Sequence, residues 1–468
     1  MRSSSNKSSV LKTIFAAVQE HQHDLTRIDI RQSIIILAVP MILEMMMESF
    51  FAVVDIFFVG RLGEHAIATV GLTEAAIMIV YSVGVGLSMA GTALIARRFG
   101  EKEYSKAGTA AFQLLSFGIF ISIIIGATGF VFSGNILVLM GAQNEVLAFG
   151  ENYTKIIFAG NTAIMLLFLI NGAFRGAGQA HLAMKTLFIS NGLNIVLDPL
   201  LIFGLGDIFP GLGLAGAAWA TTIGRSFGVC YQLYHLFNGK HLLKITRSNL
   251  IIKVKLIKKI ISIAAGGMGQ FLIDSAAWIA LTRMAAEFGS VTVASFTIAF
   301  RILLFSLMPA WGLSAAASTL VGQNLGAGKI LRAEISTLLT ARYNVVFLAG
   351  VTVIYLLAGT YIAGWFSIVP EVANLSGKGL KIISLGYVFF AVGMVMIQAF
   401  NGAGDTKTPT LINIAVLCCV EIPMAYILAF YTPLKETGIF LSIAICHSLH
   451  AVVAYYFFKQ GKWKKNIV

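Results

Sequence analysis

Charged residues are scarce in this sequence: Asp, Glu, Lys and Arg make up 12% of its 468 residues, whereas apolar residues make up 57%. Soluble globular domains carry roughly 25% charged residues. The shortage of charge therefore excludes a soluble fold and a disordered chain. The length provides for roughly ten to thirteen membrane-spanning helices of about 20 apolar residues each.

Cysteine is also rare. The four cysteines, Cys230, Cys418, Cys419 and Cys446, lie in apolar runs without a CxxC spacing, which excludes a disulfide framework, a redox motif and a zinc site. The stretch Met1–Ile30 carries charges throughout and lacks an uninterrupted apolar core, so we expect no cleaved signal peptide. HExxH spacing, hydrolase triads and a phosphate-binding glycine loop are missing as well, which predicts a protein that is not an enzyme and uses no cofactor or resident metal.

Long apolar runs predict an all-α membrane bundle, because backbone groups in lipid need internal hydrogen-bond partners and a barrel would show short alternating strands. The twelve predicted spans are Ser33–Gly60, Ala66–Ala96, Ala107–Phe132, Val146–Phe174, Leu182–Leu205, Leu212–Leu236, Ile257–Thr282, Val291–Val321, Asn344–Phe366, Val372–Ala399, Thr408–Tyr431 and Gly438–Phe458.

Basic residues are distributed unevenly between the connections. If the N-terminus is cytoplasmic, 26 of the 34 Lys and Arg residues fall on the cytoplasmic side, six on the other side and two within spans. This asymmetry predicts a multi-pass protein of the cytoplasmic (inner) membrane with both termini cytoplasmic. The densest basic stretch, Lys240 to Lys259, is then a topology signal and not a nucleic-acid site, and contact with anionic lipid headgroups is compatible with it.

An internal repeat appears when the second half of the sequence is aligned with the first at one constant offset without gaps. Gly63 aligns with Gly289, the GLS motif at 86–88 with that at 312–314, and the GAG motif at 176–178 with that at 402–404. Each repeat contains six spans, so the repeats are related by a pseudo-two-fold axis along the membrane normal. Such chains are typical of transporters in which the substrate binds between two lobes that rock to give alternating access.

Several longer motifs resemble the multidrug and toxic compound extrusion (MATE) family. They are the stretch from PMILE to VVDIFFVGRLG (40–63), NGAFRGAG (171–178), NIVLDPLLIF (194–203), LVGQNLGAG (320–328) and NGAGDTKTP (401–409). The resemblance implies a monomeric antiporter of twelve transmembrane helices in two six-helix lobes. It implies export of small organic cations or other amphipathic compounds in exchange for protons or sodium ions.

The spans and the repeat together predict five regions. These are a cytoplasmic N-terminal segment (1–32), an N-lobe (33–236), a basic cytoplasmic linker (237–256), a C-lobe (257–458) and a basic cytoplasmic tail (459–468).

Three acids in the first span define the first candidate site. Glu44, Glu48 and Asp55 follow one another at spacings of four and seven, which places them on one face of a helix. Acids inside a membrane are expensive and are commonly functional. The stripe is either a set of static hydrogen-bonded acids or, as we prefer, a track for cations or protons, because carboxylates in a low-dielectric cavity bind protons more readily.

The fifth span adds Asn194 and Asp198, which are spaced by four and share a face. We expect them to be partners of Asp55. The resemblance maps the family's N-lobe acid cluster onto Asp55, Asn171, Asn194 and Asp198, and Thr221 or Thr222 could complete it.

The C-lobe carries fewer candidates. Asp274 is the repeat equivalent of Glu48, and Arg301 could neutralise it, either as a structural ion pair or with a role in the transport cycle. Phe390 occupies the position of a second acid found in sodium-coupled relatives, which argues against a two-acid sodium site. Arg225 could pair with an N-lobe acid. His447 and His450, three apart in the last span, could shuttle protons, although a packed or interfacial pair is the preferred interpretation. Glu74 and Glu421 receive no role from the sequence.

Two other functions remain open. A flippase of lipid-linked saccharides would share the lobed architecture but would need a basic cavity, whereas acids predominate in these spans. A polytopic membrane enzyme would need a reactive cluster at a loop, and the connecting loops are short. The prediction is therefore a cation-coupled drug exporter that uses either H+ or Na+.

Overall fold

The structure, a computed structural model, describes residues 13–19, 23–206, 209–238 and 241–466. Its helices in the first half of the chain are α1 (Ile30–Gly60), α2 (Glu64–Gly100), α3 (Tyr104–Val131), α4 (Ser133–Leu139), α5 (Asn144–Ala159), α6 (Asn161–Gly176), α7 (Ala180–Phe203) and α8 (Leu214–Phe237). A short antiparallel pair, β1 (Gly204–Leu205) and β2 (Phe209–Pro210), lies between α7 and α8 with Gly204 opposite Pro210.

The second half continues the helical pattern after a 3-10 turn at Arg247–Asn249. Its helices are α9 (Val254–Ala286), α10 (Ser290–Gly326), α11 (Ile330–Gly364), α12 (Pro370–Ser384), α13 (Tyr387–Gly402), α14 (Lys407–Asn413), α15 (Ile422–Phe430) and α16 (Glu436–Gln460). A π-helix at Ile414–Glu421 joins α14 to α15, and a 3-10 turn at Lys462–Lys465 follows α16. The fold is all-α, as the sequence predicts.

The helices are long and apolar enough to cross a membrane. Within the described ranges nine pass that test alone, and two bent pairs, α5 with α6 and α12 with α13, raise the number to eleven. The 24-residue helix α8 occupies the place of the remaining predicted span. The pairs bend by 41° and 58°, in each case beside a glycine, Gly160 or Gly386.

The internal repeat is visible in the helix boundaries. The offset that aligns Gly63 with Gly289 also brings both ends of α2 onto both ends of α10, and both ends of α6 onto both ends of α13. The bend glycines Gly160 and Gly386 align at the same offset. The repeat that the sequence predicts is therefore a repeat of structure.

The chain forms two compact units. The N-terminal unit comprises Leu43–Ala264, and the C-terminal unit comprises the chain from Ala265 onward together with the residues up to Ile42. The boundaries therefore fall within α1, between Ile42 and Leu43, and within α9, between Ala264 and Ala265.

Close helix contacts recur at equivalent positions of the two units. A side chain at Gly176 on α6 would lie 2.7 Å from the carbonyl oxygen of Thr92 on α2, and one at Gly402 on α13 would collide with the carbonyl oxygen of Ser318 on α10. Small residues allow membrane helices to approach in this way. These contacts fix α6 and α13, which carry polar groups of the sites described below.

Candidate functional site in the N-terminal unit

Glu44 lies at the beginning of the acidic stripe of α1. Its side chain is buried, and its Oε1 is 3.6 Å from Nη1 of Arg175 and accepts a hydrogen bond from Asn171 at 3.3 Å. Both partners lie on α6. Gln232 of α8 donates to Asn171 in turn. Among the described residues, no group hydrogen-bonds Glu44 Oε2. Glu44 is therefore held mainly as one member of an ion pair.

Glu48, one turn further along α1, is paired differently. Its Oε1 accepts a hydrogen bond from Nη2 of Arg225 at 3.1 Å, and its Oε2 accepts one from Asn191 at 3.0 Å. Arg225 is only 5% exposed and also lies over the ring of Phe51 at 5.6 Å. The expected pairing of Arg225 with an acid of this half is therefore observed, and it joins α1, α7 and α8.

Asp198 on α7 is the least compensated acid. The residue is 0% exposed, and neither carboxylate oxygen has a hydrogen-bond partner in the described part of the chain. The next residue is Pro199, which has no N–H, so the carbonyl of Ile195 lacks its usual donor within α7. A buried charge without a partner is very unfavourable, and binding of a proton or a metal cation would remove that penalty.

Asn194 lies one turn before Asp198, and its side chain is near the Asp198 carboxylate but outside the geometry of a hydrogen bond. Its amide donates to the hydroxyl of Thr221 on α8 at 3.2 Å, while its Oδ1 has no partner within the described ranges. The structure thus places Thr221 next to Asn194, and its role in a site stays a prediction. Thr222 instead packs against Gly160 at the bend between α5 and α6.

Asp55 shares an electrostatic environment with Asp198, as expected. The two carboxylates repel each other, and Asp55 also interacts with Glu74 on α2 and with Arg225. Tyr81 and Tyr153 interact electrostatically with Asp55 and Glu74 as well. Arg225 interacts with Glu48 and Asp55, and Asp55 in turn interacts with Glu74 and Asp198, so these four acids belong to one region.

The predicted residues thus form two groups. Asp55, Asn194, Asp198 and Thr221 belong to the acid-rich region, which we call the acid cluster together with Glu48, Glu74 and Arg225. Asn171 does not belong to it, because its amide bonds Glu44 at the other end of the stripe.

The C-terminal unit holds a smaller polar network. Asn413, the last residue of α14, donates to Asp274 of α9 at 2.9 Å, and its Oδ1 is 2.9 Å from Nε2 of His450 on α16. His447 packs edge-on against Phe390 with 4.4 Å between ring centres. His450 therefore has a polar partner that sequence reasoning did not find.

The structure does not bring Arg301 next to Asp274. Arg301 lies on an exposed face of α10, and no ion pair between the two is present in the described part of the chain. Its neighbours Ile302 and Leu303 are buried, so the helix directs position 301 away from the core. Asn413 takes the place next to Asp274.

The internal repeat relates these sites. Glu44 and Arg175 correspond in the second repeat to Gln270 and Asn401, whose amides exchange two hydrogen bonds at 3.1 and 3.2 Å. A charged pair in one unit is thus a neutral pair in the other. The N-terminal unit carries the greater density of acids and is the better candidate for cation binding.

The sequence analysis did not identify some residues that contact or interact with the predicted site residues. Arg175 lies within the NGAFRGAG motif, and its repeat position, Asn401, is also polar, which is the signal that could have identified it. Tyr81, Tyr153 and Gln232 give no such signal, because isolated polar residues in apolar runs are common. Within the described ranges, no group of three His, Cys, Asp or Glu side chains is arranged to hold a metal ion.

Comparison with known proteins agrees with this architecture. The probable multidrug resistance protein YoeA of Bacillus subtilis is 26% identical over 93% of this chain and 94% of its own length. The probable multidrug resistance protein NorM of Thermotoga maritima is 25% identical over 94% of each chain.

A solved structure of similar shape is described as the outward-facing conformation of a multidrug resistance MATE family transporter of the MOP superfamily. It aligns with a TM-score of 0.87 at 26% identity and covers 94% of this chain and 98% of its own. The MatE family model matches residues 40–200 and 268–427, more than half of the sequence and a part of each unit. This chain therefore belongs to the MatE family.

Proposed function

We propose that this protein is a secondary active antiporter that exports organic cations and other amphipathic compounds by alternating access. The similar proteins of Bacillus subtilis and Thermotoga maritima are named as multidrug resistance proteins, and the family is one of transporters. The substrates are drug-like molecules, and inward movement of H+ or Na+ drives their export.

The observation that carries this proposal is the carboxylate of Asp198. It is buried in a membrane-spanning helix without a hydrogen-bond partner in the described chain, and Asp55 repels it. Charged groups inside a membrane typically mark ion pathways. We propose that Asp198 and Asp55 bind the coupling cation, with Asn194 and Thr221 supplying polar oxygens.

Occupancy of this site would alter helix packing. Asp198 and Asn194 lie on α7, Asp55 lies on α1, and Thr221 lies on α8, so the same ion influences three helices. A cation that binds more tightly to one conformation shifts the population toward it. Release of drug follows from that shift, and the two binding events are therefore linked.

The same acids explain why the proposed transporter prefers cationic substrates. Among the described residues, the acid cluster contains Glu48, Asp55, Glu74 and Asp198 against one basic member, Arg225, so it attracts positive molecules. An anionic lipid-linked saccharide would be repelled. The acids therefore favour the drug exporter over the flippase.

Efflux of ethidium from loaded bacterial cells that express the protein tests the proposal. Asp198→Asn keeps the shape of the side chain and removes its charge, and we expect it to reduce efflux to that of cells without the transporter. Glu371→Gln is the matched control, since Glu371 is an exposed acid in the first turn of α12. Unchanged efflux by correctly inserted Asp198→Asn protein would overturn the role of Asp198.

A further inference from the structure

The described residues 241–253 of the connection between the two repeats lie against α3. Residues 241–253 follow α8 and precede α9. The N–H of Ile245 donates to the carbonyl of Leu236 at 3.0 Å, and the side chain of Asn249 donates to the carbonyl of Ser105 at 2.8 Å. Thr246 and Asn249 form a reciprocal capping box. The segment is therefore fixed on α3.

The α3 surface is shaped to receive this segment. At Gly108 the carbonyl oxygen of Lys244 approaches so closely that a Cβ atom would collide with it. Gln113, further along α3, donates to the carbonyl of Ile251 and accepts from the N–H of Lys253 at 3.1 Å. These bonds on both sides of residue 252 hold its backbone in one orientation.

The result is an apolar edge that faces away from the protein. Leu243 and Ile245 are buried, whereas Leu250, Ile251, Ile252 and Val254 are exposed, and Ile252 is 69% exposed. The edge lies directly before the first turns of α9, a membrane-spanning helix. Exposed apolar side chains next to a span are suited to the boundary between headgroups and acyl chains.

Basic side chains surround this edge. Lys244, Arg247, Lys253, Lys255 and Lys258 are exposed, and residues 238–264 contain no Asp or Glu. Acids of the neighbouring connection between α2 and α3, Glu101 and Glu103, are paired with basic residues of their own segment. The basic side chains of this edge are therefore suited to bind an anionic group from outside the chain.

We propose that residues 244–258 form a docking surface for anionic phospholipids, which we call the linker platform. Leu250, Ile251 and Ile252 enter the headgroup boundary, and the lysines bind lipid phosphates. Apolar insertion combined with several basic residues is the chemistry that recognises anionic membrane surfaces. This proposal is independent of drug transport.

Lipid retention by the full-length protein tests the platform. Protein is reconstituted in vesicles of equal phosphatidylcholine and phosphatidylglycerol, extracted in mild detergent and analysed for the lipids it keeps. We expect phosphatidylglycerol to be enriched on the wild type. The combined change Lys253→Gln, Lys255→Gln and Lys258→Gln should weaken that preference about fivefold per charge removed.

Two controls make the result specific. Lys459→Gln, Lys462→Gln and Lys465→Gln remove the same charge from exposed positions near the C-terminus and should leave the enrichment unchanged. Ile252→Asp should also reduce it, whereas Ile368→Asp, at a fully exposed position between α11 and α12, should not. Equal enrichment in the platform variants and the wild type, or equal loss in platform and control variants, would overturn the proposal.

Discussion

Glu48 and Arg225 form the best-defined polar contact of the acid cluster. Nη2 of Arg225 on α8 and Oε1 of Glu48 on α1 lie 3.1 Å apart, and the arginine is nearly inaccessible. Such a pair contributes to stability mainly because removal of one partner would leave the other charge uncompensated in a buried place. The contact therefore links α1 to α8, and the hydrogen bond from Asn191 to Glu48 adds α7.

Removal of one partner should be more harmful than removal of both. Breaking a fully buried pair costs about 3–5 kcal/mol, and we expect roughly half of that for Arg225→Met because the Glu48 side chain is 34% exposed. The double variant Arg225→Met with Glu48→Gln should recover part of the loss. Thermal unfolding in detergent measures both changes.

A matched pair on the surface provides the control. Arg283 and Glu287 lie 2.9 Å apart but are largely exposed, so Arg283→Met should cost less than about 1 kcal/mol. Equal destabilisation by Arg225→Met and Arg283→Met, or no recovery in the double variant, would contradict the structural role of Arg225.

The sequence predicts which residues share a face when they all lie on one helix. Spacing alone placed Glu44, Glu48 and Asp55 on one face, and Asn194 with Asp198 on another. It could not place Asn171, because its position depends on how α6 lies against α1. The same limit explains Arg301, whose orientation is set by the packing of Ile302 and Leu303.

At the scale of the helices, glycine positions control how closely neighbouring helices approach. Gly402 on α13 faces the backbone of Ser318 on α10, and its repeat equivalent Gly176 faces Thr92. A methyl group has no space at Gly402. Because the obstacle is backbone rather than a flexible side chain, the helices must separate to accommodate it.

Gly402→Ala should therefore lower stability by about 1–3 kcal/mol, the usual range for overpacking. Gly350→Ala is the control, since Gly350 lies on α11 with no atom within 4 Å of the added methyl group. It should be neutral or slightly stabilising, because alanine favours helix more than glycine does. Melting curves that do not distinguish the two variants would refute this packing argument.

Hydropathy predicted the spans but not their interruptions. The runs Val146–Phe174 and Val372–Ala399 each appear as one span, whereas the chain bends beside Gly160 and Gly386. At Gly160 the absence of a side chain lets Thr222 approach, and apolar content carries no information on such contacts. The π-helix at Ile414–Glu421 is equally invisible to a count of apolar residues.

The orientation of the whole molecule follows from its basic residues and stays a prediction. A cysteine at Ile368 should react with a membrane-impermeant maleimide in intact cells, because that position is fully exposed on the predicted outer side. A cysteine at Lys465 should react only after lysis. The unaltered protein, with its four native cysteines, gives the background. The opposite pattern would reverse the topology.

The two units differ in charge although they share one repeat. The Glu44–Arg175 ion pair of one unit is the Gln270–Asn401 amide pair of the other. The sequence revealed the repeat, and the structure shows its divergence in chemistry. Because the N-terminal unit holds the uncompensated Asp198, we assign coupling to that unit.

The most direct test is uptake of ethidium into proteoliposomes under a proton gradient or a sodium gradient imposed separately. One gradient should drive transport by the wild type, and the same gradient should drive none by Asp198→Asn or Asp55→Asn. Glu371→Gln should behave as the wild type. Gradient-driven transport by folded Asp198→Asn protein at the wild-type rate would contradict the assignment of the coupling site.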